Sequence, residues 1–216
     1  MISSPSDISN FIFENYSSLL SATAITFLES FLGFAIATFF SFSLMFICFY
    51  FNGFMNFILP VIIISQVIPL ITLAPLFIIL FGVGVKSKIM MASLLCFFPI
   101  FINFANGVRL INKEIKEISI IYNASTLQKV LYIYFPLSLP NIMAGMKIAS
   151  TLAVIGAIVA EFNGAEIGLG KNLFLSAKRL EPELMMSSLL LSSLLGGALY
   201  CQILLIEKKL GKWYIQ

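Results

Sequence analysis

The chain has 216 residues, 60% of them apolar and 11% charged. A soluble domain carries about 25% charged residues, so one bundle immersed in lipid fits this composition and leaves no room for a separate soluble catalytic domain. The net charge of +3 comes from 13 basic residues scattered among polar segments, which suits anionic lipid head groups and offers no basic run to nucleic acid. Histidine is absent, which removes His-based catalytic triads and most zinc sites. Cys48, Cys96 and Cys201 lie in separate apolar stretches without CxxC spacing, so no disulfide, metal or cofactor is expected.

The first seven residues contain no Lys or Arg, and no cleaved signal peptide is expected. Ile8, Phe11, Ile12, Tyr16, Leu19 and Leu20 then recur at helical spacing. They fit either a short amphipathic helix in the outer interface or an unstructured tail. From Ser30 to Val85 no residue is charged, too long a run for one crossing, which needs about 20 residues. The turn-forming pair Asn52-Gly53 divides it into spans near 27–50 and 55–81. The second of these holds Pro60, Pro69 and Pro75. Proline at membrane depth leaves carbonyls without donors, which places this helix toward the bundle interior, beside a pathway or kinked for packing alone.

Further spans are expected near 89–108, 142–162 and 184–206, giving about five in a single all-α membrane domain over 1–216. Five crossings put the termini on opposite sides. Eight basic residues lie in the 109–147 segment and the tail, and five on the other side, so the positive-inside bias places the 109–141 loop and the C-terminus in the cytoplasm and the N-terminus outside.

The loop from Asn112 to Pro140 is expected to form two short helices. Ile115, Ile118 and Ile121 mark one side of the first. Asn123 breaks it, because Asn takes the left-handed conformation readily. Ser125-Thr-Leu-Gln128 is a capping-box pattern, and the helix it opens is expected to stop before Pro136. The result is a helix, a sharp turn and a helix, with an apolar ridge open to a partner.

These residues resemble a known family. Glu117-Ile-Ser-Ile-Ile-Tyr-Asn123, nine further residues and Ile133-Tyr-Phe-Pro136 are similar to the EAA loop of type I ATP-binding-cassette importer permeases. Ile118 and Ser119 stand where that family has alanines, and Asn123 where it has glycine. The stretch from Ile68 to Gly84 resembles the family's proline-rich core helix, and Leu152 to Phe162 with Gly168-Leu-Gly170 its pore-lining helix and outer loop. Similarity extends over about 25–214 and is nearest the branch serving nitrate, sulfonate, taurine and thiamine or riboflavin precursors. Glu29 and the Leu152–Glu161 stretch tilt toward the precursor members. Many relatives have an additional N-terminal span that is not found here. The resemblance implies that the loop couples to a cytoplasmic ATPase dimer through Glu117, Ile118, Ser119, Asn123, Ile133 and Pro136. It also implies an outer solute-binding protein and a second permease copy or paralogue. A stand-alone channel or secondary transporter is the alternative.

Pathway candidates are Pro69, Pro75, Gly156 and Glu161. Glu161 is the one carboxylate near the end of an apolar helix, where it either serves function or faces outer water; Glu29 has the same standing. Gly145, Ala149, Gly156 and Ala160 would let two helices approach closely. Two glycine-rich stretches, beginning at Gly82 and Gly164, lack the GxxxxGK[ST] spacing of a phosphate-binding loop, so ATP hydrolysis is assigned to another subunit and no catalytic residue is named.

Overall fold

A computed structural model describes residues 4–51 and 53–211. Among the described residues the chain is helical, with no strand. Helix α1 (Pro5–Glu14) opens on a capping box in which Ser4 Oγ accepts from the Asp7 amide and Asp7 accepts from the Ser4 amide. Helix α2 (Tyr16–Tyr50) follows after one residue. The expected amphipathic row is therefore split between two helices. Ile8, Phe11 and Ile12 are half-buried on α1, Leu19 is buried on α2, and Tyr16 and Leu20 are exposed.

On α2, Ala22, Thr26, Ser30, Gly33, Ala37, Ser41, Met45 and Cys48 form the buried stripe. They recur every three or four residues, and most are small. This face lies against α5 (Val85–Arg109), which also packs along α8 (Phe135–Glu161). In lipid, helix association depends on van der Waals fit rather than on the hydrophobic effect, and small residues permit it. Ala92 of α5 is the crossing point: a Cβ on Gly33 of α2 would fall 2.6 Å from Ala92 Cβ, and one on Gly156 of α8 would fall 2.8 Å from Ala92 Cα. Ser41 Oγ donates to the Phe97 carbonyl at 3.2 Å, and Cys96 Sγ to the Ala149 carbonyl at 3.2 Å, which ties the same three helices together.

Among the described residues four helices are long and apolar enough to cross a membrane: Tyr16–Tyr50, Val85–Arg109, Thr126–Glu161 and Pro182–Gly211. The last is α10. The segment expected as one span over 55–81 is instead two helices of 12 residues each, α3 (Phe54–Ser65) and α4 (Leu70–Phe81). Pro69 has no amide proton to continue the ladder of α3, and it serves as the N-cap of α4. Gly53, with φ +85°, opens α3; its expected turn partner Asn52 lies outside the described residues. Within this chain the pair occupies the bundle's edge rather than its interior. Leu59 and Ile62 of α3 reach the core at the Tyr50 end of α2, whereas Ala74 of α4 meets Met91 and Leu95 near the start of α5. The two half-helices thus run the length of the bundle.

Between α5 and α8 lie α6 (Lys113–Ile121) and α7 (Thr126–Lys129), and between α8 and α10 lies α9 (Leu169–Arg179). The helix beginning at Thr126 does not stop before Pro136. A π-helical turn, Val130–Tyr134, carries it into α8, and the Phe135 amide donates to the Val130 carbonyl five residues back. Widening the ladder from four residues to five relieves the clash between a proline ring and the preceding turn, so α7, the π turn and α8 form one rod.

Candidate functional site

Two features stand out at opposite ends of the bundle. The first is the α6–α7 hairpin. Its turn is a Schellman motif: the Asn123 amide donates to the Ile120 carbonyl at 2.9 Å and the Ala124 amide to the Ser119 carbonyl at 3.1 Å. Asn123 supplies the left-handed residue with φ +49°. The capping box follows at once, with the Gln128 amide donating to Ser125 Oγ at 3.3 Å and the Ser125 amide to Gln128 Oε1 at 2.8 Å. Both helix ends at the turn are thereby satisfied by local bonds.

Ser119 is the buried residue of α6, and its hydroxyl donates to the Lys116 carbonyl at 2.6 Å. Ile115 is half-buried on the same side. The outward surface is apolar where a solvated helix would be polar: Ile118 is 51% exposed, Ile121 76% and Tyr122 81%. Glu117 is exposed and lies 3.6 Å from Lys113 one turn earlier. Ile133 and Pro136 are half-buried along the rod. Tyr134 stacks on Phe49 of α2 with ring centroids 4.8 Å apart, and Phe135 meets Phe42 and Phe104. The rod is therefore seated in an aromatic cluster that α2 and α5 share.

The second feature is a buried polar cluster where α8 ends. Glu161 is 1% exposed, so it does not face water. One of its oxygens, Oε1, accepts from Thr26 Oγ1 at 2.6 Å, and the other, Oε2, accepts from the Gly170 amide. Thr26 in turn accepts from the Leu169 amide at 3.0 Å. A hydroxyl from α2 and a carboxylate from α8 thus cap the first amides of α9, whose partial positive charge favours an anion. Side chains at Gly168 and Gly170 would collide with the Glu161 side chain, which accounts for the Gly-Leu-Gly sequence. Glu29 is fully buried beside Glu161. Its Oε1 lies 3.7 Å from Lys88 Nζ, and among the described residues neither Glu29 oxygen has a hydrogen bond.

Of the pathway candidates, Gly156 is a contact point between helices and Glu161 a helix cap. Pro75 is exposed on α4, and Pro69 borders a cavity beside the α3–α4 break. Sequence reasoning missed Lys88 and Thr26. Lys88 reads as one of the loop charges but lies 6% exposed within α5. Thr26 was legible only as a polar residue three before Glu29, on the face that repeats to Gly33.

The model of the family described as "Binding-protein-dependent transport system inner membrane component" matches residues 42–207, from the far half of α2 through the hairpin and the buried cluster's α8 side to the end of α10. The chain is 35% identical over 154 residues to the riboflavin transport system permease protein RibX of Chloroflexus aurantiacus, covering 71% of this chain and 58% of that protein. It is 40% identical over 111 residues to the formylaminopyrimidine transport permease protein ThiX of Halalkalibacterium halodurans, covering 51% and 44%. With the putative aliphatic sulfonates transport permease protein SsuC of Bacillus subtilis it shares 28% identity over 148 residues, covering 68% and 54%. The matches span about half the length of these curated relatives. On the strength of the family match, which takes in the greater part of its length, this chain belongs to the binding-protein-dependent transport system inner membrane components.

Proposed function

We propose that the chain is the membrane-spanning permease subunit of an ATP-binding-cassette importer, working with a separate cytoplasmic ATPase dimer, an outer solute-binding protein and a second permease copy. The observation that carries this reading is the α6 surface: Ile118, Ile121 and Tyr122 are exposed beside Glu117 on a hairpin whose second arm is continuous with α8. An apolar ridge on a polar loop needs a protein cover, and a cover that moves would move the rod. Closure of an ATPase dimer would then swing α8 as a rigid body and switch the bundle between inward and outward openings. The permease performs no bond chemistry in this scheme.

The distribution of Lys and Arg supports a cytoplasmic hairpin and C-terminus with the N-terminus outside. The residues given to ATPase coupling are Glu117, Ile118, Ser119, Asn123, Ile133 and Pro136. Ser119 is buried and bonded within α6, and Glu117 and Ile118 are open to the partner. A riboflavin-like compound or a thiamine precursor is the favoured solute, with aliphatic sulfonates the competing class, as in the names of the relatives.

The test is Glu117→Lys, assayed for membrane insertion, ATPase co-purification and solute uptake in reconstituted vesicles. Insertion is expected to be normal and uptake lost. Wild-type uptake in that variant, or uptake that persists with vanadate, would favour a stand-alone carrier instead.

A further inference from the structure

The break between α3 and α4 interrupts the helical backbone of the apolar 54–81 stretch. With 12 residues on either side, each about 18 Å long at 1.5 Å per residue, residues 66–69 fall near the middle of a crossing. The Gln66, Val67 and Ile68 amides turn back to the Ile63, Ile64 and Ser65 carbonyls at 3.3, 3.0 and 3.4 Å. Pro69 has no amide to offer. Backbone of this kind is tolerated at membrane depth where protein covers it or water reaches it, and paired half-helices mark solute sites in other transporters.

Gln66 sits at this point. Its side chain is exposed and makes no hydrogen bond among the described residues. A primary amide left in hydrocarbon without a partner is strongly disfavoured, since it gives up its hydrogen bonds to water for nothing in return. Beside it lies a cavity of about 420 Å³ bordered by Gln66, Pro69, Leu95, Phe98, Ile148 and Leu152, with α5 and α8 as its walls. That volume suits a small organic solute. No Lys, Arg, Asp or Glu lines it, so an ionised sulfonate would lose its hydration with no countercharge in return. The amide presents both donors and an acceptor; the other polar side chain on the wall, Ser65, spends its hydroxyl proton on the Ile62 carbonyl at 2.7 Å, and the remaining lining side chains are apolar.

We infer that this cavity is the point at which the pathway reads its solute, that Gln66 is the specificity-determining side chain, and that the solute class is a small, neutral organic molecule carrying both hydrogen-bond donors and acceptors. The inference rests on the permease reading above. It adds a residue, a place and a chemical class to it.

The experiment uses the complete transporter, with its ATPase and binding protein, in vesicles. On a Cys201→Ser background, with Cys48 and Cys96 buried, Gln66→Cys is exposed to a membrane-impermeant maleimide with and without ATP plus vanadate. Modification is expected to differ about tenfold between the two states, because a side chain in a switching pathway meets water in only one of them. In parallel, Gln66→Leu and Gln66→Asn are assayed for uptake of riboflavin and of taurine. Gln66→Leu is expected to lower riboflavin uptake about tenfold, the equivalent of one lost buried hydrogen bond, with ATP hydrolysis retained. Gln66→Asn is expected to keep most of it. Absence of modification in both states overturns the inference, as does unchanged riboflavin uptake in Gln66→Leu. Loss of the permease dimer in Gln66→Leu also overturns it, by making Gln66 a contact between copies. If the wild type moves neither probe, the maleimide result decides alone. Failure of the permease reading is separable, because the wild-type chain would then bind no ATPase and show no ATP-dependent uptake.

Discussion

Thr26 Oγ1 and Glu161 Oε1 lie 2.6 Å apart, 135 residues apart in sequence, and their bond joins α2 to α8 where α9 begins. The same pair holds the Leu169 and Gly170 amides, so one contact fixes three helices and the 162–168 connection.

Replacing Glu161 by Ala leaves the Gly170 amide without its acceptor in a dry site, while the Thr26 hydroxyl keeps the Ala22 carbonyl of its own helix, 3.0 Å away. A loss of about 1–3 kcal/mol is expected for each buried group stranded in this way. It should appear as a lower unfolding temperature in detergent and as faster proteolytic cleavage within 162–168. Thr26→Val should cost a similar amount, because it leaves the Leu169 amide without its acceptor and Glu161 Oε1 without its donor while the bond to Gly170 remains.

Glu29 and Lys88 form the second pair of the cluster, and both are shielded from solvent. Lys88→Met leaves Glu29 beside Glu161 with no cation, and about 3–5 kcal/mol of destabilisation is expected from breaking a buried pair by one partner. The double variant Glu29→Gln with Lys88→Met should recover most of that loss. Thermal unfolding of the four proteins in a double-mutant cycle measures the coupling, and additive effects would show that the two side chains do not act as a pair.

At Asn123, with φ +49°, Gly should be tolerated and Val should not. A β-branched side chain in the left-handed region costs about 1–2 kcal/mol, enough to unwind the end of α6. Hydrogen exchange of the Asn123 and Ala124 amides reports the turn directly. Co-purification of the ATPase reports the consequence, with Asn123→Gly expected to match the wild type and Asn123→Val to fall below it.

The family model takes in residues 42–207, and the residues that carried the family resemblance in the sequence lie mostly within that range. The hairpin was legible because its determinants are local: the turn at Asn123 and the box at Ser125 and Gln128 need only neighbouring residues. The exit of that hairpin was misread. Proline ends an ordinary helix, and nothing at Pro136 signals that a π turn five residues long will open the ladder ahead of it. The second apolar segment was misread for a related reason. Pro60 and Pro75 lie inside helices, whereas Pro69 breaks one, and the sequence gives no rule that separates them.

By itself the sequence determined that the chain is an all-helical membrane protein, where most of its long helices run, and that a capped turn interrupts them. Composition, apolar run length and capping residues act over a few positions, and lipid leaves a backbone few alternatives to the helix. Only the tertiary structure decided that Glu161 caps α9, that Lys88 is buried against Glu29, and that Gly33 and Gly156 both close on Ala92. Those contacts join helices far apart in the chain, and their geometry is set by how closely small residues allow backbones to approach, which no single segment encodes.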